Sequence, residues 1–122
     1  MKFMTLVKSA ENYGPPPQAL MDAIGKLGEE AFTKGVMVEM GGLLPSAQGA
    51  RVRIDGGKIS VIDGPFAETK EVIGGYAVFD VATKDDAVYW TERFMEVHKE
   101  HWKGWEGETE IRQLYEPAPV AG

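Results

Sequence analysis

The chain has 122 residues, 43% hydrophobic and 26% charged, which is the profile of one globular domain and not of a disordered chain. Nineteen Asp and Glu against thirteen Lys and Arg leave a net charge of −6, which speaks against direct nucleic-acid binding. The lack of cysteine excludes disulfides, thiolate catalysis, thiolate zinc sites and iron–sulfur clusters.

The opening Met1-Lys2-Phe3-Met4-Thr5-Leu6-Val7 is too short and too quickly polar for a signal peptide. No apolar run reaches the roughly 20 residues of a membrane helix. A cytoplasmic protein without membrane contact is therefore expected. Residues 3–8 read as a first strand. Pro15-Pro16-Pro17 sets up a helix start, because proline fixes φ and has no N–H to lose there. Leu20, Ile24, Leu27 and Ala31 then recur at helical spacing, with Met21, Gly28 and Phe32 beside them, and Gly35 is placed to end the helix. Residues 36–40 read as a second strand, broken by Gly41-Gly42 and Pro45. Residues 51–54 and 58–62 form a hairpin around Asp55-Gly56-Gly57, read as a three-residue loop. Asp63-Gly64-Pro65-Phe66 ends that arm, and a polar loop leads to a strand over 76–81. Thr83-Lys84-Asp85-Asp86 resembles a capping box with Asp in place of Glu. The helix after it carries Ala87, Trp90, Phe94, Val97 and His101 on one stripe, with Thr91 and His98 adjoining, and Gly104 is expected to end it. Residues 108–115 alternate as a last strand.

Two strand–helix–strand units with a hairpin inserted between them predict an α+β, ferredoxin-like split βαβ fold: an antiparallel sheet with two helices on one face. Each crossover helix is expected to join strands that are parallel and adjacent. Residues 3–7 and 76–81 carry large apolar groups at both parities. A sheet apolar on both faces needs a second cover, and the chain has no further helix to supply it. A two-fold homodimer with its sheets face to face is the simplest remedy.

Residues 63–71, Asp-Gly-Pro-Phe-Ala-Glu-Thr-Lys-Glu, with Gly74-Gly75-Tyr76 after them, resemble the signature of the YCII-related proteins, specifically the DGPF-domain branch. Met1–Met4, Gly41–Ser46 and His98–Gly107 extend the likeness over most of the chain. The resemblance implies a ferredoxin-like dimeric α+β barrel whose biochemical role is largely unassigned. Related proteins are linked to extracytoplasmic-function sigma factors, and some relatives with this barrel are enzymes acting on small aromatic or lactone compounds. Some YCII-type members carry a His–Asp pair proposed as an active site. This chain has no histidine before His98, so an N-terminal pair of that kind does not carry over.

The 63–71 loop has two readings. In the structural one, Asp63 accepts from its own turn, Gly64 permits an unusual φ, Pro65 stiffens the exit and Phe66 plugs the core; turn-forming residues dominate the motif, which favours this reading. In the functional one, Asp63 and Glu68 face a cleft, with Lys70 holding an anionic group and a carboxylate acting as general base. His98 and His101 share a helix face at i, i+3. A metal site needs a third ligand, and none is marked, so no metal and no cofactor are expected. Helix-end stabilisation beside Trp102, or acid–base work near neutrality, are the remaining roles. Arg51 and Arg53 either protect an edge or clamp an anion. The candidate catalytic residues are thus Asp63, His98 and His101, and the candidate ligand-binding residues are Glu68, Lys70, Tyr76 and Trp102. The functional expectation is a small dimeric barrel that takes a small organic ligand and does acid–base chemistry. The alternative is a non-enzymatic interaction module associated with a sigma factor.

Overall fold

A computed structural model describes residues 1–66 and 69–117. The elements run β1 (Lys2–Ser9), α1 (Gln18–Thr33), β2 (Met37–Gly42), a 3-10 turn (Ser46–Gln48), β3 (Ala50–Asp55), β4 (Lys58–Asp63), β5 (Val72–Asp80), α2 (Lys84–His101) and β6 (Gly107–Gln113). The main sheet has the order β2-β5-β1-β6 with every neighbouring pair antiparallel. This is the ferredoxin-like α+β arrangement. The strands joined by each helix are parallel but not adjacent, contrary to the expectation: β5 lies between β1 and β2, and β1 lies between β5 and β6. The hairpin β3–β4 forms its own two-stranded sheet.

Alternation explains which side of the sheet is covered. Phe3, Thr5 and Val7 are buried. They pair with Phe79, Ala77 and Gly75 on one side and with Gln113, Ile111 and Thr109 on the other. The two helices pack on that face. Its core gathers Phe3, Ala31, Phe79, Val81, Ala87 and Trp90, and Phe79 stacks on Trp90 at 6.5 Å. The helix-free face carries Met4, Leu6, Tyr76 and Val78 at its centre, by the pairings Met4–Val78 and Leu6–Tyr76. Charged groups surround them: Glu39 opposite Val78, and Glu110 opposite Leu6. Lys8 and Arg112 both pair with Glu110, at 2.6 and 3.1 Å.

Local signals mostly hold. Thr83 Oγ1 accepts from the Asp86 N–H, and the Asp86 carboxylate accepts from the Thr83 N–H, both at 3.2 Å, completing the capping box. Gly35 follows α1 with φ of 73°, a left-handed conformation that glycine adopts without strain. Some boundaries move. The hairpin turn is two residues, because Asp55 pairs with Lys58 and leaves only Gly56 and Gly57 outside, at φ of 57° and 79°. Both values are those a type I′ turn requires. β2 runs through Gly42, β5 begins at Val72, and α2 ends at His101. A bidentate contact joins the helices: Arg93 donates to both oxygens of Glu30, one at 3.0 Å.

Candidate functional site

The turn at Asp63–Phe66 is built by docking onto the 3-10 turn. The Gly64 N–H donates to the Gly49 carbonyl at 2.9 Å. The Phe66 N–H donates to Ser46 Oγ at 3.2 Å. Ser46 in turn donates its N–H and its hydroxyl to the two oxygens of Glu11, at 2.6 and 2.5 Å. Those bonds, the hydroxyl's first, hold the Glu11 carboxyl below its ordinary pKa. Glycine at position 64 is required by proximity and not by φ, in contrast to the sequence expectation. A Cβ there would lie 1.6 Å from the Ser46 carbonyl oxygen. Phe66 does not plug the core. The Arg51 guanidinium lies 3.8 Å over its ring and donates to Thr69 Oγ1 at 2.9 Å.

Asp63 is exposed at the end of β4, opposite Ala50. Lys70 is exposed in the loop after it. Glu68 lies outside the described residues.

Helix α2 positions the histidines differently from each other. His98 is buried, and its Nδ1 meets the Phe94 carbonyl at 2.9 Å. That carbonyl assigns the proton to Nδ1 and leaves Nε2 as the lone-pair nitrogen. Burial is the larger influence and lowers the pKa, while the carbonyl contact works against it, so the ring is neutral at pH 7. The imidazole sits between Phe94 at 4.5 Å and Trp105 at 4.7 Å. Trp105 stacks on Trp102 at 5.9 Å, and Tyr13 meets Trp102 edge-on at 6.0 Å. Tyr13 also accepts from the Glu106 N–H at 3.3 Å. Trp102 thus belongs to an aromatic ladder tying the β1–α1 loop to the chain after α2. His101 is half-buried, 3.9 Å from Glu100.

No hydrogen bond or ion pair among the described residues joins Asp63 to either imidazole. No group of three metal-binding side chains occurs among the described residues. Two open grooves mark the surface. One, of about 450 Å³, runs between α2 and β6 along Val88, Thr91, Glu92, Met95, Glu96, Thr109 and Ile111. The other, of about 590 Å³, lies against Met1 and residues 113–116. Neither is lined by the candidate residues. Tyr76 stands on the helix-free face, its ring against Gly41, where a Cβ would come within 3.0 Å of it. The neighbouring Glu39 carboxylate, with burial second, raises the Tyr76 pKa, so the phenol keeps its proton. Glu39 and the Glu11–Ser46 pair escape a sequence reading, because a strand bulge and a loop-to-loop contact set them and no periodicity marks either.

A ferredoxin-like α+β chain with a glycine-locked turn after an inserted hairpin is the class so defined. The profile of the YCII-related domain matches residues 1–106, and the chain belongs to the YCII-related family. It is also similar to an uncharacterised protein of Rhizobium meliloti (strain 1021), with 44% identity over 46 residues, or 38% of this chain and 37% of that protein. The match spans little more than a third of that relative. No helix among the described residues is long and apolar enough to cross a membrane.

Proposed function

We propose that the protein is a cytoplasmic member of the DGPF branch and works as a two-fold dimer whose helix-free sheet faces enclose a small organic ligand. One observation carries this reading: Met4, Leu6, Tyr76 and Val78 form an apolar centre with one protonated phenol beside one carboxylate, Glu39. Such a surface suits a ligand with an apolar body and one polar group once water is excluded. For acid–base chemistry the best-prepared group is His98, neutral and with its Nδ1 turned to the Phe94 carbonyl, which leaves the lone pair on Nε2. Asp63 and His101 are the other candidate chemical groups, and Lys70 and Trp102 the other ligand contacts.

Light scattering at micromolar concentration tests the dimer; a clean 13.4 kDa species refutes it. A thermal-shift screen of small aromatic and lactone compounds follows, with Tyr76→Phe, Asp63→Asn and His98→Ala. If none of these changes alters binding or turnover of a ligand so found, the assignment fails. The exposed aliphatic hairpin favours a second reading, a regulatory module that docks a sigma factor or its partner. A pull-down that recovers no such protein removes it.

A further inference from the structure

Among the described residues, the hairpin carries a run of large aliphatic side chains with little cover. Its register sets Val52 opposite Val61 and Ile54 opposite Ile59, so four β-branched side chains share one face. They are 66–75% exposed. The other face carries Arg51, Arg53 and Lys58. Cross-strand β-branched pairs suit a pleated surface, yet a lone two-stranded hairpin is marginal in water. Here the described anchors sit at its base, at Gly49–Gly64 and Arg51–Phe66.

We propose that the hairpin is an arm whose aliphatic face is buried on the body of a second copy of this chain, with the partner's arm returning the contact. The proposal rests on the dimer reading above and names a further surface that completes it. Area favours a second copy. Each of the four side chains offers on the order of 100 Å² of apolar surface. One arm with the surface it covers, counted for both copies, comes to roughly 1,600 Å², the size of a standard stable interface. The charged groups of the arm do not oppose this. Arg51, Arg53 and Lys58 stand on the face opposite the aliphatic one, so burying Val52, Ile54, Ile59 and Val61 does not desolvate them. Two-fold symmetry lets one patch type serve twice.

The test is sedimentation equilibrium over a dilution series of the full chain and of Ile54→Ser/Ile59→Ser. Both side chains face solvent in the single chain, so the substitutions spare its core. The expected result is a dissociation constant at least tenfold higher for the double variant, with Tyr115→Ser, at an 88% exposed position off the hairpin, equal to wild type. Equal constants for double variant and wild type overturn the arm while leaving the paired sheets standing. A wild type that stays single-chain in mass overturns the dimer reading beneath it. In this cysteine-free chain Ile54→Cys supplies a second readout. Protection from alkylation that is lost on dilution supports the arm. Rapid formation of a symmetric disulfide places hairpin against hairpin and overturns docking on the body.

Discussion

Gly64→Ala tests whether the turn after β4 is a backbone-to-backbone lock. The new Cβ would lie 1.6 Å from the Ser46 oxygen, 2.6 Å from the Ser46 carbonyl carbon and 3.2 Å from the Ala47 Cα. All three are main chain, so no side-chain rotation relieves the clash, and the two turns must part by more than an ångström. That parting breaks Gly64 N–H to Gly49 and Phe66 N–H to Ser46 Oγ. Each such bond contributes about 0.5–1.5 kcal/mol net, and the displaced Phe66–Arg51 stack adds to the loss. The expected cost is about 2–3 kcal/mol, well above an ordinary surface change. Urea unfolding measures it, and faster amide exchange at Gly64 and Phe66 locates it. Gly74→Ala is the control, since its Cβ would meet nothing within 4 Å. If Gly64→Ala and Gly74→Ala prove equally stable, the lock does not exist.

Three further outcomes follow from the same geometry. His98 has its folded-state pKa below the ordinary 6.5, so the unfolded chain binds the extra proton first and stability falls as pH drops below about 6.5. His98→Phe should flatten that pH dependence, and an NMR midpoint for His98 at or above 6.5 contradicts the burial argument. Glu30 is held at about 2 chiefly by its hydrogen bonds with Arg93, with Lys34 assisting. Its contribution is present above pH 4.5 and lost as pH falls toward 2, and Arg93→Gln should move its carboxyl midpoint upward in a 13C titration. An unchanged midpoint removes the link between the helices. Gly107→Ala would set a Cβ 2.3 Å from the Trp105 ring and 2.8 Å from the Lys8 carbonyl oxygen. A shifted tryptophan emission and a loss of roughly 1–3 kcal/mol are expected, and an unaltered spectrum tells against the packing described.

Elements governed by local periodicity were readable from the chain, and those governed by distant packing were not. The two helices, the capping box and the β3–β4 hairpin follow from spacing within a few residues, whereas which strands lie side by side in the main sheet does not. The α2 stripe shows where such reading drifts. The predicted stripe holds His101 with His98 beside it; Ala87 and Trp90 of that stripe are buried, but so are Thr91 and His98, while His101 is half-buried. The cover over His98 comes from beyond the helix end, where the Trp105 ring lies 4.7 Å from the imidazole, and no spacing within α2 marks it. The loop at 63–66 was recognisable as a motif, but its cause was hidden. The partner that demands glycine at 64 is Ser46, eighteen residues earlier, and no pattern within the motif marks it. Phe66 likewise reads as a core residue by type, yet it rests under Arg51 because the hairpin stands outside the main sheet.

The placement of β1 bears on how the chain assembles. It is the first strand in sequence and central in the sheet, and its hydrogen-bonding neighbours are β5 and β6, so that Phe3 faces Phe79 on one side and Gln113 on the other. During synthesis this strand has neither sheet neighbour until β5 (Val72–Asp80) has been made, and its second edge stays open until β6 (Gly107–Gln113) follows. Closing loops of that span is entropically slow, and an apolar ribbon left unpaired for that long is a natural client for a chaperone.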